Sequence, residues 1–140
     1  MATVSPTWAY TLQLPHDPRA PGIARATLRT VLAAHGLTGL TPTAELLASE
    51  LLTNAHLHTT GPYALRVHAE GSDRLRIAVW DSDPLLPPGF GDPGVPPRPA
   101  DTEEHGRGLH LVRACADAWG AAATQDGKLL WAECQWGGLR

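Results

Sequence analysis

Seven of the chain's thirteen prolines, together with four glycines, fall between positions 82 and 106. Proline lacks a backbone N–H and fixes φ, so no helix interior and no central strand can run through such a stretch. Regular structure must therefore be assembled from what lies on either side of it. A loop of this length inside a compact domain is a lid, a binding loop or a disordered segment.

Before the loop, residues 8–14 alternate apolar with polar (Trp8, Tyr10, Leu12, Leu14), the period of a strand. Residues 18–34 read as a helix with Ile23, Leu28, Val31 and Leu32 as apolar positions, stopped at His35-Gly36. Thr41 is expected to N-cap a second helix with Pro42 at its first position. That helix carries Leu46, Leu47, Leu51, Leu52 and Ala55 toward a core and runs to about His58. Residues 63–69 and 75–81 form a hairpin turned at Glu70-Gly71-Ser72-Asp73, with Leu65, Val67, Leu75, Ile77 and Val79 pointing inward. After the loop come a helix over 107–118 and strands over 119–124 and 128–136, turned at Gln125-Asp126-Gly127. This order predicts a single α+β domain over 1–140, a two-layer sandwich with helices on one face of a mixed, mainly antiparallel sheet.

A net charge of −3 and the lack of any Lys/Arg-rich run give no basis for binding nucleic acid or an anionic membrane. No apolar run is long enough to span a bilayer, and the first residues lack a signal-peptide pattern, so a cytoplasmic protein is expected. Cys115 and Cys134 have neither metal-ligand nor disulfide-framework spacing and read as buried thiols.

Four features carry chemistry. Glu50 and Asn54, the sole asparagine, stand four residues apart on one helix face. A mid-helix Asn competes for backbone hydrogen bonds, so the position is not one helix propensity favours. Together the pair offers a proton acceptor beside an amide oxygen suited to a hard cation such as Mg²⁺, or is simply a solvated helix carboxylate beside an incidental Asn. Asp81 ends the hairpin in Asp81-Ser82-Asp83-Pro84, where a carboxylate can accept an exocyclic amine, although the run is also ordinary turn chemistry. Gly106-Arg107-Gly108-Leu109 opens a helix and could cradle phosphate oxygens or simply turn the chain. His56, His58 and His68 are close in sequence, but without a Cys-x-x-Cys or His-Glu-x-x-His pattern they predict no zinc site.

In this order and spacing the chain resembles the gyrase, heat-shock chaperone, histidine kinase and mismatch-repair (GHKL) ATPase superfamily. Within it, the likeness is to the small anti-sigma-factor serine/threonine kinases and their stand-alone ATP-binding relatives of actinobacteria. The matching segments are Ser49-Glu50-Leu51-Leu52-Thr53-Asn54-Ala55 with His58, Val79-Trp80-Asp81 with Pro87, and Gly106-Arg107-Gly108-Leu109-His110-Leu111-Val112. Ala116-Asp117-Ala118-Trp119-Gly120 and Gly127-Lys128-Leu129-Leu130-Trp131-Ala132-Glu133 extend the likeness over nearly the whole chain. Where that superfamily usually has Gly-x-Gly after the adenine-binding aspartate, this chain has Asp83 and Leu85.

The resemblance implies a histidine-kinase-like ATPase fold that binds ATP and Mg²⁺. Asn54 would ligate the Mg²⁺, Glu50 would be the general base, and Asp81 would take the adenine amine. Gly106, Arg107, Gly108 and Leu109 would hold phosphate, His58 would lie near it, and 82–106 would be the ATP lid. The implied reaction is phosphorylation of a small STAS-like antagonist protein, with a sigma factor as a further partner and homodimerisation left open. Two other readings stand beside it. One is a non-catalytic nucleotide-binding module that sequesters a regulatory partner; the other is the detached catalytic domain of a sensor histidine kinase.

Overall fold

Period-two segments from both sides of the proline-rich stretch meet in one sheet. The computed structural model describes residues 7–87, 90 and 107–136, apart from the side chains of 107–110. In chain order these form β1 (Ala9–Leu14), α1 (Ala20–Ala34), a 3₁₀ turn (Thr38–Leu40), α2 (Thr41–His58), β2 (Tyr63–Glu70) and β3 (Arg74–Asp81). Then follow α3 (Arg107–Cys115), β4 (Ala118–Thr124) and β5 (Gly127–Gln135). The strands are ordered β1-β2-β3-β5-β4, and all four neighbouring pairs are antiparallel. This is the expected α+β sandwich.

Alternation decides which face of the sheet is covered. Leu65 and Val67 of β2, Leu75, Ile77 and Val79 of β3, and Leu130, Ala132 and Cys134 of β5 are all buried on the inner face. Over them lies α2, which packs on β2, β3 and β5 and is flanked by α1 and α3. Its inner stripe is Ala44, Leu47, Ala48, Leu51, Leu52 and Ala55. Burying each leucine of this kind stabilises the fold by about 1.5–3 kcal/mol. On the other face, Arg76 lies 4.1 Å over the Trp131 ring and bonds Glu133 at 2.7 Å. Gly120 stands beneath Trp131, where a Cβ would overlap the indole.

Several local expectations need correcting. Ile23 is 55% exposed, because α1 buries Ala20, Ala24, Leu28, Val31 and Leu32 instead, a stripe centred between Ile23's flanking turns. Leu46 is only half-buried, one position off the stripe of α2. Thr41 is not an N-cap: its N–H is taken by Thr38 O, so the 3₁₀ turn runs straight into α2 and Leu40 occupies the cap. α3 stops at Cys115, since Asp117 N donates to Glu133 O and begins the β ladder there. Gly127 belongs to β5 and not to the turn, which is the two residues Gln125 and Asp126. Cys115 is exposed at the end of α3; Cys134 is buried as expected. Of the expected lid, positions 88, 89 and 91–106 lie outside the described residues, whereas 82–87 carry no regular structure and Phe90 is buried in the core. No helix among the described residues is long and apolar enough to cross a membrane.

Candidate functional site

The helical period that brings Glu50 and Asn54 onto one face is present in α2, which runs unbroken from Thr41 to His58. Asn54 is 9% exposed, and its Oδ1 is a buried acceptor with no hydrogen-bond partner among the described residues. Buried polar atoms are almost always paired, so an orphaned amide oxygen marks a place where something else belongs. An amide oxygen is a hard donor of the kind Mg²⁺ accepts, and the residue fits that ion. Among the described residues no three His, Cys, Asp or Glu side chains gather into a metal cluster. One turn earlier, Glu50 is half-buried, and burial pushes its carboxyl pKa up. A carboxylate made more basic by desolvation is better suited to accept a proton.

His58 closes α2 and is half-buried. His56, its neighbour but one, is committed elsewhere. Its ring stacks on His16 at 4.2 Å and its Nδ1 meets the Tyr63 hydroxyl at 2.8 Å.

Asp81 ends β3 beside the first residues of β5. It is 1% exposed, and its Oδ1 accepts from Lys128 Nζ at 2.9 Å and from Asp83 N at 2.9 Å. Lys128 is 2% exposed and donates also to the Asp83 carbonyl at 3.1 Å. The pair is directly cross-strand, Asp81 opposite Lys128. Gly127 makes the approach feasible, because a Cβ there would overlap Asp81's carbonyl oxygen. Asp83 in turn accepts Leu85 N at 3.0 Å, so Asp81 and Asp83 each hold the amide two residues on. Neither Asp83 nor Leu85 takes a positive φ, so this turn does without the glycines usual at those positions.

Gly106 lies outside the described residues. Arg107, Gly108 and Leu109 form the first turn of α3. α3 packs against α2, which bears Glu50 and Asn54. α3 and the Asn-bearing α2 thus lie side by side over the antiparallel sheet. The Histidine kinase-like ATPase domain family matches residues 14–133, all but the two ends of the chain. This chain belongs to that family. No curated protein matches it. Membership brings ATP binding and ATP-using chemistry of the histidine-kinase-like type.

Within this ATPase domain, sequence reasoning assigned no role to Lys128. A signal was available: it is the only lysine, set in the otherwise apolar run Leu129-Leu130-Trp131-Ala132. A charge in a central strand needs a buried partner of opposite sign, and Asp81 is that partner.

Proposed function

We propose that this ATPase domain is an ATP- and Mg²⁺-dependent protein serine/threonine kinase of the anti-sigma-factor type, acting on a STAS-like antagonist protein. The observation that carries the reading is the pairing on α2: a half-buried carboxylate of raised pKa one turn before a buried amide oxygen without a partner among the described residues. Phosphoryl transfer asks mainly for positioning and charge neutralisation, with one group to take the acceptor's proton.

In this reading Asn54 holds the metal, and Mg²⁺ when bound supplies neutralisation of phosphate charge. Glu50 accepts the proton of a serine or threonine hydroxyl as its oxygen bonds the γ-phosphorus. The bond from that phosphorus to the β-phosphate oxygen breaks, ADP departs, and Glu50 returns its proton to water. Asp81 accepts the adenine amine. Gly106, Gly108 and the amides opening α3 receive phosphate oxygens, with Arg107, Leu109 and His58 alongside. The STAS-like protein and a sigma factor are the proposed partners.

Calorimetric titration with Mg²⁺-ATP, on wild type and Asn54→Ala, tests the nucleotide site. Binding to wild type alone is expected. Transfer from γ-labelled ATP to a STAS-domain protein tests the chemistry, and Glu50→Gln should slow it about 10²–10⁴-fold while ATP affinity is kept. ATP binding with no transfer to such a substrate would assign the chain to the non-catalytic, partner-sequestering role.

A further inference from the structure

The Lys128–Asp81 pair has hydrogen-bonding capacity left over, and that remainder has a definite pattern. An ammonium carries three N–H donors, and among the described residues Lys128 uses one on Asp81 Oδ1 and one on the Asp83 carbonyl, leaving one. Asp81 Oδ1 already receives two bonds, from Lys128 Nζ and Asp83 N, so further acceptance falls to Oδ2. Among the described residues this pair is therefore left with one donor, on Lys128, and one acceptor oxygen, Asp81 Oδ2. Both belong to side chains at most 2% exposed, where bulk water competes little with a ligand.

We propose that Lys128 is a second base-reading residue, its remaining N–H donating to the ring nitrogen beside the exocyclic amine of a 6-aminopurine nucleotide. The inference rests on the nucleotide reading above, in which Asp81 accepts that amine. An adenine edge presents one donor, the 6-amine, next to one acceptor, N1, and meets the spare acceptor and donor one for one. Guanine presents two adjacent donors, N1–H and the 2-amine, which call for both oxygens of a carboxylate. Here Oδ1 is saturated, so guanine leaves a donor unpaired, and an unpaired buried polar group is costly. Lys128 thus sets specificity in two ways: it reads one atom of the base, and it withholds one oxygen of Asp81 from the wrong base.

Calorimetry with the Mg²⁺ complexes of ATP, 1-deaza-ATP (N1 replaced by C–H) and GTP tests this on the unaltered protein. ATP should bind roughly tenfold or more tighter than 1-deaza-ATP, the scale set by one hydrogen bond to a charged group. GTP should bind more weakly still. In Lys128→Met, checked for folding by circular dichroism, ATP and 1-deaza-ATP should bind alike. Equal wild-type affinity for ATP and 1-deaza-ATP, or tighter binding of GTP, would overturn the role of Lys128 while leaving the nucleotide site standing. If no nucleotide binds to wild type, both this role and the nucleotide reading are wrong.

Discussion

Gly127 lies so close against Asp81 that the backbone at the end of β3, the aspartate's carbonyl oxygen foremost, occupies the space a side chain at 127 would need. That contact lets Lys128, the next residue, reach the carboxylate at 2.9 Å from directly across the sheet. Gly127→Ala must push the two strands apart where backbone meets backbone, with no flexible side chain to yield. A loss of about 1–3 kcal/mol in urea unfolding is expected. Gly39→Ala, with open space around it and no positive φ, should change stability by less than about 0.5 kcal/mol.

Removing one partner of the buried ion pair strands the other. Lys128→Met leaves the Asp81 carboxylate in a nearly water-free place and should cost about 3–5 kcal/mol. The double variant Asp81→Leu/Lys128→Met should recover most of that loss, short of full recovery because Asp83 N loses its acceptor. Urea midpoints of the two single variants and the double variant, read as a cycle, check this. A double variant no more stable than Lys128→Met would contradict it.

Glu50 contributes in the opposite sense. Burial raises its folded-state pKa, so what it gives to stability is full below its unfolded pKa and is lost as pH rises through the folded value. Glu50→Gln should therefore melt no lower than wild type at pH 7, gaining up to about 2 °C because the carboxylate keeps partial contact with water. At acid pH the gain should disappear. Phosphoryl transfer should rise with pH through that same raised pKa and then level off.

Asn54→Ala separates site from scaffold. Its Oδ1 makes no hydrogen bond among the described residues, and alanine is the better helix former, so stability should hold or improve by about 0.5 kcal/mol. Mg²⁺-dependent nucleotide binding should be lost. Parallel urea titration and calorimetry read the two effects independently.

The two thiols should part by reactivity. Burial, with the Asp117 and Glu133 charges adding to it, pushes the Cys134 thiol up to about 11, whereas Cys115 is exposed at the end of α3. At pH 8 a thiol reagent should label one equivalent rapidly in the native protein. The second should appear only in denaturant or as pH approaches the Cys134 value.

What was legible in the sequence was local. The stop at His35-Gly36 could be read because a helix ending this way needs a left-handed residue: Gly36 has φ 73°, and Leu37 N closes the end on Leu32 O. Glu50 and Asn54 could be paired because helical spacing alone puts them on one face. Lys128 could not be joined to Asp81, since 47 residues separate them and nothing local says that β5, rather than β4, adjoins β3. Thr41 and Gly127 were misplaced for a related reason. Their types suit a cap and a turn, but a 3₁₀ turn running into α2 and a neighbouring strand's carbonyl decide what they do.

β5 enters the sheet between two strands made before it, with β3 on one side and β4 on the other. During synthesis β3 thus waits with one edge bare while the proline-rich stretch, α3 and β4 are made. The buried Asp81–Lys128 pair is then made in the same event that completes the sheet, so a ribosome paused before β5 would hold a chain with neither.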